Sequence, residues 1–351
     1  MAGTAVFKNH HSGNSKLLFE KPEMKNQRCI MDKRPLGTSG IKVAPLTFGG
    51  NVFGWTLDEQ RSFEMLDAFV EAGFNFIDTA DVYSRWAPGN AGGESETIIG
   101  NWMKERNNRE KVIIATKVGA DMGQGKRDLS KKYILGAVEN SLKRLKTDYI
   151  DLYQSHYDVA DISVEEPLEA FAQLVKDGKV RIIGASNFSA ARLTQSIDAS
   201  KDHGYPVYQT LQPLYNLYDR EAYEKELEPL CIKHSLGVIN YYALASGFLS
   251  GKYRSESDLS KSTRGEANKK YLNPKGFTIL AALDEVAREY NSTPASVAIA
   301  WLLARPSITA PIASATSLEQ LDALIKATQL KLDGAAIILL NDASDWKNEL
   351  D

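Results

Sequence analysis

Asp78, Tyr83, Lys117 and His156 are the residues whose types and surroundings point to chemistry. Lys117 follows the apolar run Val112-Ile113-Ile114-Ala115-Thr116, at the mouth of what reads as a buried strand. An unpaired ammonium is costly there, so the position demands a carboxylate. Asp78 ends the preceding strand-like run, and Tyr83 lies just beyond it. His156 closes a third run, Leu152-Tyr153-Gln154-Ser155. Each residue alone has a plainer explanation. Asp78 can cap the loop Thr79-Ala80-Asp81, Tyr83 can be a half-buried loop aromatic, and His156 can be a satisfied structural group. Four proton-handling side chains at the ends of successive strands are better read together, as one acid–base constellation.

Such a constellation needs elements that bring those ends to one place. Short runs with strand character occur at residues 46–50, 74–79, 112–116, 149–155, 180–185, 207–212, 237–242 and 308–312. Amphipathic helical patterns lie between them at 58–72, 95–105, 130–145, 164–176, 189–199 and 220–234. In the first of these, Phe63, Leu66, Phe69 and Val70 share a face and Asp58 is a plausible N-cap. Strand and helix alternating about eight times predict a parallel sheet closed into a (β/α)8 TIM barrel, with its active site at the C-terminal ends of the strands. An open doubly wound sheet is the alternative. It calls for a Gly-x-Gly-x-x-Gly turn after an early strand, which this sequence lacks. Residues 246–276 fall outside the repeat and read as a long polar loop, a lid or a disordered excursion. Residues 334–345 read as an extra C-terminal helix with Leu339 and Leu340 on its apolar face.

Composition narrows the function classes. The chain has 351 residues, 43% of them hydrophobic, and a formal net charge of −3 from 42 basic and 45 acidic side chains. That balance gives no reason to expect a nucleic-acid or membrane-surface partner. Cys29 and Cys231 suggest neither a disulfide framework nor a metal site, and a reducing cytoplasm fits. No apolar run is long enough to span a bilayer. Residues 1–30 are polar and lack a signal peptide's apolar stretch; Glu20 and Glu23 also argue against a targeting peptide. They read as a disordered extension, a mis-assigned start before Met31, or an added segment, and are expected to contribute nothing to a single barrel domain over 31–351.

The order and spacing of these pieces resemble the aldo-keto reductase family. The text that carries the resemblance is Phe76-Ile77-Asp78-Thr79-Ala80-Asp81-Val82-Tyr83-Ser84, Gly93-Glu94-Ser95-Glu96, Ala115-Thr116-Lys117-Val118-Gly119, Tyr149-Ile150-Asp151-Leu152-Tyr153-Gln154-Ser155-His156 and Ile183-Gly184-Ala185-Ser186-Asn187-Phe188. Leu211-Gln212-Pro213-Leu214-Tyr215-Asn216-Leu217 and the segment from Tyr241 to Tyr253 extend it. The resemblance implies reduction of a small aldehyde or ketone with NADPH, and Asp78, Tyr83, Lys117 and His156 as the catalytic residues. On this reading Tyr83 is the general acid, Lys117 lowers its pKa, Asp78 holds Lys117, and His156 orients the carbonyl oxygen.

The same resemblance implies cofactor contacts. Ser186, Asn187 and Gln212 would hold the nicotinamide carboxamide, and Tyr241 would stack on its ring. Leu244, Ser246, Leu249, Gly251 and Lys252 would follow the pyrophosphate. Ser314, Thr316, Ser317 and Gln320 would meet the adenosine end. Ser186 and Asn187 could instead be a helix cap, and Tyr241 barrel packing. Many relatives have an arginine where this sequence has Gln320, so NADH use is more plausible here than in the family at large. Val52, Phe53, Trp55, Trp86 and Tyr157 are candidate substrate contacts, their aromatic rings suiting an apolar or aromatic carbonyl, or the apolar face of a sugar. In some relatives the barrel is a channel-associated β subunit, so a redox-sensing regulatory role with little turnover is the second reading.

Overall fold

The computed structural model describes residues 32–348. The expectation for residues 1–30 lies outside the described residues. Two very short strands open the fold, β1 (Arg34–Pro35) and β2 (Lys42–Val43), paired antiparallel. Eight parallel strands follow: β3 (Thr47–Gly49), β4 (Phe76–Asp78), β5 (Ile113–Val118), β6 (Ile150–Ser155), β7 (Val180–Ser186), β8 (Thr210–Gln212), β9 (Gly237–Val238) and β10 (Ile312–Ala313). They hydrogen-bond in the order β10-β3-β4-β5-β6-β7-β8-β9. The two ends also meet. Val238 bridges Ile308, and the Ile312 amide donates to the Asn240 carbonyl at 2.9 Å. The sheet is therefore a (β/α)8 barrel, as the alternating pattern predicts.

Helices α1 (Glu59–Glu71), α2 (Glu94–Arg106), α3 (Lys131–Leu145), α4 (Glu165–Lys176) and α5 (Ala190–His203) cover the first strands. Asp58 does cap α1, accepting the Arg61 amide at 2.9 Å, and Phe63, Leu66 and Phe69 are buried. A π-helical turn, Tyr223–Leu227, leads into α6 (Glu228–Lys233). Pro229 cannot donate a backbone hydrogen bond, and the turn preceding it is widened. Helices α7 (Pro274–Glu289), α8 (Pro294–Ala304), α9 (Leu318–Ala327) and α10 (Gly334–Ala343) follow, and a short helical turn, Trp346–Asn348, ends the described residues. Leu340 of α10 is buried, while Leu339 is only partly so.

The barrel interior changes character along its axis. Phe76, Ala115, Leu152, Ile239 and Ala310 form an apolar cluster with Leu36, Ile41 and Val43 from the β1–β2 hairpin, which plugs the base. Close approach matters here: a Cβ on Gly237 would lie 2.8 Å from the Gly37 amide nitrogen. Side chains alternate faces along a strand, so the next inward positions lie two residues on. These are Asp78, Lys117 and Gln154, all polar and all buried. Register confirms the ring, with Lys117 opposite Gln154 and Ser186 opposite Gln212.

Two expectations need correction. The strand expected to stop at residue 116 runs on to Val118, so Lys117 is its penultimate residue, still at the C-terminal end. The segment 246–276 is neither structureless nor an open excursion. It folds as short helical turns, Ala245–Ser250, Glu256–Lys261 and Glu266–Tyr271, before α7 begins. Phe248, Leu249, Tyr253 and Tyr271 are fully buried, and the Phe248 and Tyr271 rings stack at 5.3 Å. Apolar anchors spaced by such turns follow no helical period, which is why the sequence pattern misses them.

Candidate active site

The ends of β4, β5 and β6 bring the four acid–base residues together. Lys117 Nζ donates to Asp78 Oδ1 at 2.8 Å, to Asp78 Oδ2 at 2.7 Å and to the Thr79 carbonyl at 2.9 Å. It also donates to the Tyr83 hydroxyl at 2.8 Å. The Tyr83 hydroxyl in turn donates to Asp78 Oδ2 at 3.1 Å. The His156 ring lies 6.1 Å from the Tyr83 ring. Lys117 and Asp78 are 0% and 1% exposed, so neither charge would be tolerated without the other. Tyr83 is different: part of its ring reaches solvent while its hydroxyl end is enclosed.

Burial, then the Asp78 carboxylate, pushes the Tyr83 phenol well above its ordinary pKa. Lys117 touches the phenol, yet the net shift is upward, because creating a phenolate in an enclosed site beside a carboxylate costs more than one shared ammonium returns. Burial lowers Lys117 while Asp78 opposes the shift. Burial, then Lys117 and Arg127, holds His156 well below its ordinary value, so its imidazole is neutral. No hydrogen-bond partner for its Nδ1 is present among the described residues.

Ser186, Asn187, Gln212 and Tyr241 form one connected network. The Ser186 hydroxyl donates to the Gln212 carbonyl at 2.9 Å, and Asn187 Nδ2 donates to the His156 carbonyl at 2.9 Å. The Tyr241 hydroxyl donates to Asn187 Oδ1 at 2.8 Å. Gln212 Nε2 donates to Asp78 Oδ1 at 2.8 Å, tying this group to the acid–base cluster. Asn187 holds a left-handed φ of +56°, a conformation asparagine tolerates better than most residues.

The remaining sequence candidates scatter more widely. Ser246 and Gly251 are partly exposed and Lys252 is exposed, whereas Leu249 is buried in the core and presents no side-chain surface to a ligand. Leu244 is partly buried against that core. Ser314 donates to the Gly49 carbonyl at 2.8 Å. Ser317 caps α9, accepting the Gln320 amide at 3.3 Å, and the Gln320 side-chain oxygen accepts the Thr316 amide at 3.0 Å. Trp55 meets Trp86 edge-on at 5.7 Å, and Trp86 meets Tyr83 at 6.0 Å. Tyr157 stacks on His156 at 4.7 Å. Val52 and Phe53, by contrast, point into the core, 1% and 0% exposed, and do not line an open mouth.

Several residues at the mouth escape the sequence reading. The Arg264 guanidinium sits 4.9 Å from the Trp55 ring centre and donates to the side-chain oxygen of Asn51 at 2.9 Å. With its amide in that orientation, Asn51 donates to Ser314 Oγ at 2.7 Å. Tyr242, 48% exposed, packs against Tyr241. Arg127 covers the Tyr157 ring. A basic residue in a loop on the C-terminal face of a barrel is the only sequence signal for either arginine, and surface arginines are too common for it to stand out.

A buried acid lies behind the cluster. Asp81 is 2% exposed, and among the described residues neither carboxylate oxygen has a side-chain hydrogen-bond partner; the neighbouring Val82 amide offers only a weak contact. Burial, then Glu96, pushes its pKa up to about 8, against the pull of Arg144, which is already paired with Glu96 at 2.7 Å. The folded chain therefore keeps a proton that the unfolded chain releases above 3.8. Asp81 should cost stability as pH rises from 3.8 toward about 8, with a slope of at most about 1.4 kcal/mol per pH unit. Asp81→Asn should flatten that part of the profile in thermal melts. An unchanged slope would mean that Asp81 gains a partner in solution.

Residues 45–344 match the model of the Aldo/keto reductase family. The chain is 36% identical over 319 residues to an uncharacterized oxidoreductase, YrpG, of Bacillus subtilis (strain 168), covering 89% of this chain and 95% of that protein. It is 34% identical over 296 residues to the aldo-keto reductase YhdN of the same organism, covering 83% and 85%. A probable voltage-gated potassium channel subunit beta of Arabidopsis thaliana is 32% identical over 310 residues, covering 86% and 92%. No described helix is long and apolar enough to cross a membrane. With an eight-stranded barrel, a carboxylate–ammonium–phenol cluster at its mouth and a family match across most of its length, the chain belongs to the aldo-keto reductase family of oxidoreductases.

Proposed function

We propose that this protein reduces an aldehyde or ketone to an alcohol, with Tyr83 as the proton donor. One observation carries the reading: Lys117 Nζ touches both the Asp78 carboxylate and the Tyr83 hydroxyl, with a neutral imidazole beside them. A reduced nicotinamide nucleotide, when bound, supplies the hydride. The chain's residues then deal with the negative charge left on the substrate oxygen. Tyr83 passes its proton to that oxygen, and the O–H bond breaks as the new one forms. The charge left on Tyr83 faces Lys117, which is already in hydrogen-bond contact. The high phenol pKa keeps the proton in place until the substrate oxygen becomes the stronger base. His156 is neutral, so it can steer the carbonyl oxygen without competing as a charged acid.

The donors near this cluster suit a nicotinamide. A carboxamide needs both a donor and an acceptor, and Ser186, Asn187 and Gln212 offer hydroxyl and amide groups beside the catalytic set. The Tyr241 ring, partly exposed and held by Asn187, offers a flat face. NADPH is the first choice: Ser314, Thr316 and Ser317 lie near the N-terminus of α9, where a phosphate would compete with their present contacts to Gly49, Asn51 and Gln320. Screening aldehydes and ketones with NADPH and with NADH, following loss of the reduced nucleotide, tests the reading. Failure to oxidise either nucleotide with any carbonyl would remove it.

Gln320 bears on nucleotide choice. Its side-chain oxygen is taken by Thr316, and its neutral amide sets no charge against a 2′-phosphate. Gln320→Arg should tighten NADPH over NADH by about 1 kcal/mol, a value limited by exposure of the site. Tryptophan fluorescence titrations with both nucleotides would measure it. Equal changes would place Gln320 outside the phosphate site.

A redox-sensing subunit remains the second reading, favoured by the likeness to the Arabidopsis protein named as a probable channel subunit beta. Negligible turnover together with stable co-purification with a membrane protein would select it.

A further inference from the structure

The mouth of the barrel carries a cation that the acid–base cluster does not use. Arg127 lies in the loop after β5, with its guanidinium carbon 3.8 Å from the centre of the Tyr157 ring. Tyr157 is nearly parallel to His156, at 4.7 Å and 14°. Guanidinium, phenol and imidazole thus form a continuous set of contacts leading from the surface to the acid–base cluster. Arg127 itself is exposed.

Its charge has no carboxylate partner among the described residues, although several acids lie near it in sequence or on the same loops. Asp121 Oδ1 accepts the Gly123 and Gly125 amides at 2.8 and 3.0 Å. Asp128 accepts the Ser130 amide at 2.8 Å. Asp158, next to Tyr157, receives Arg192 Nε on both oxygens at 2.9 Å. The loop is itself pinned, with Gln124 accepting the Met122 amide at 2.8 Å and donating to the Ala120 carbonyl at 3.1 Å. A planar cation is therefore held on an aromatic platform beside the reaction site, while the acids that might neutralise it hold backbone or another arginine.

We propose that Arg127 recognises an anionic group on the substrate, so that the preferred substrates are aldehydes or ketones that also carry a carboxylate. The planar fork of a guanidinium matches a carboxylate in two parallel hydrogen bonds. A single uncompensated cation balances one negative charge, which favours a carboxylate over a phosphate dianion. Trp55, Trp86 and Tyr157 would flank the body of such a molecule, with its carbonyl toward Tyr83 and its acid toward Arg127. This assignment rests on the carbonyl-reductase reading for its substrate, but its binding test does not require turnover.

The test compares para-carboxybenzaldehyde with its neutral methyl ester on the intact chain. The ester is intrinsically the more electrophilic aldehyde, so the informative quantity is the acid-to-ester ratio of kcat/KM in wild type against each variant. Arg127→Met should lower that ratio about tenfold, and Arg127→Lys should restore only part of it. Added salt should lower the wild-type ratio and leave that of Arg127→Met nearly flat. A second arm needs no chemistry. Binding of para-(hydroxymethyl)benzoate and its methyl ester, followed by tryptophan fluorescence with oxidised nucleotide present, should show an acid preference in wild type that Arg127→Met abolishes. Thermal melts of both variants should match wild type. If the acid binds no better than the ester in wild type, or if the Met variant leaves the preference intact, the assignment is wrong. If neither aldehyde is reduced yet the binding preference follows Arg127, the reductase reading fails and the anion site stands.

Discussion

Tyr83→Phe should bind NADPH almost normally and lose aldehyde reduction by roughly 10²–10⁴-fold in kcat, the usual contribution of a general acid. The substitution removes one oxygen and keeps the ring, which packs against Trp86 and sits 4.5 Å from Lys117 Nζ. The contacts proposed for the nicotinamide run through Ser186, Asn187, Gln212 and Tyr241, and none is bonded to the Tyr83 hydroxyl. Lys117 keeps three other acceptors, two on Asp78 and one at the Thr79 carbonyl, so the variant should fold. The loss should therefore fall on the step that needs a proton. Single-turnover reduction of an activated aldehyde at saturating NADPH isolates that step from product release. Wild-type rates in the variant would show that Tyr83 is not the acid and would move that role to another group, with His156 the first to examine.

Some of this site can be read directly from the sequence, and the reason is alternation. Phe76 and Asp78, Ala115 and Lys117, Leu152 and Gln154 are pairs two residues apart on neighbouring strands, apolar at the base and polar at the mouth. A lysine at such a position announces its partner, because the cost of burying it alone is prohibitive. The eightfold alternation of strand and helix is legible for the same reason: each element has one buried face with its own period. What stays hidden depends on contacts between distant segments. The β1–β2 hairpin has too few residues to show a period, yet it closes the base by placing Leu36 and Val43 against Ile239 and Ala310. Arg264 and Arg127 lie in polar loops, and only the folded chain puts them on Trp55 and Tyr157. The direction of the Tyr83 shift is hidden too. It depends on whether Lys117 or Asp78 and burial dominate at one oxygen, a question of ångströms rather than of residue types.

Lys117→Met should be damaging in two separable ways. Asp78 would be left 1% exposed with its ammonium gone and only Gln212 and Tyr83 as side-chain donors. Removing one member of a buried pair typically costs 3–5 kcal/mol, so the melting temperature should fall by many degrees. Part of that cost would be avoided if Asp78 took up a proton, and the loss of stability should then be smaller in acid. Turnover should fall as well, because the charge developing on the Tyr83 oxygen would lose the cation now 2.8 Å away. The double variant Asp78→Asn with Lys117→Met distinguishes the two effects. With both charges gone, no ion is stranded in the core, and much of the stability should return. Catalysis should not return, since the phenol still lacks its neighbouring cation. A single variant that melts like wild type would mean that solvent or a rearrangement relieves Asp78. A double variant that reduces aldehydes at the wild-type rate would show that the Asp78–Lys117 pair is scaffolding, and that Tyr83 releases its proton without it.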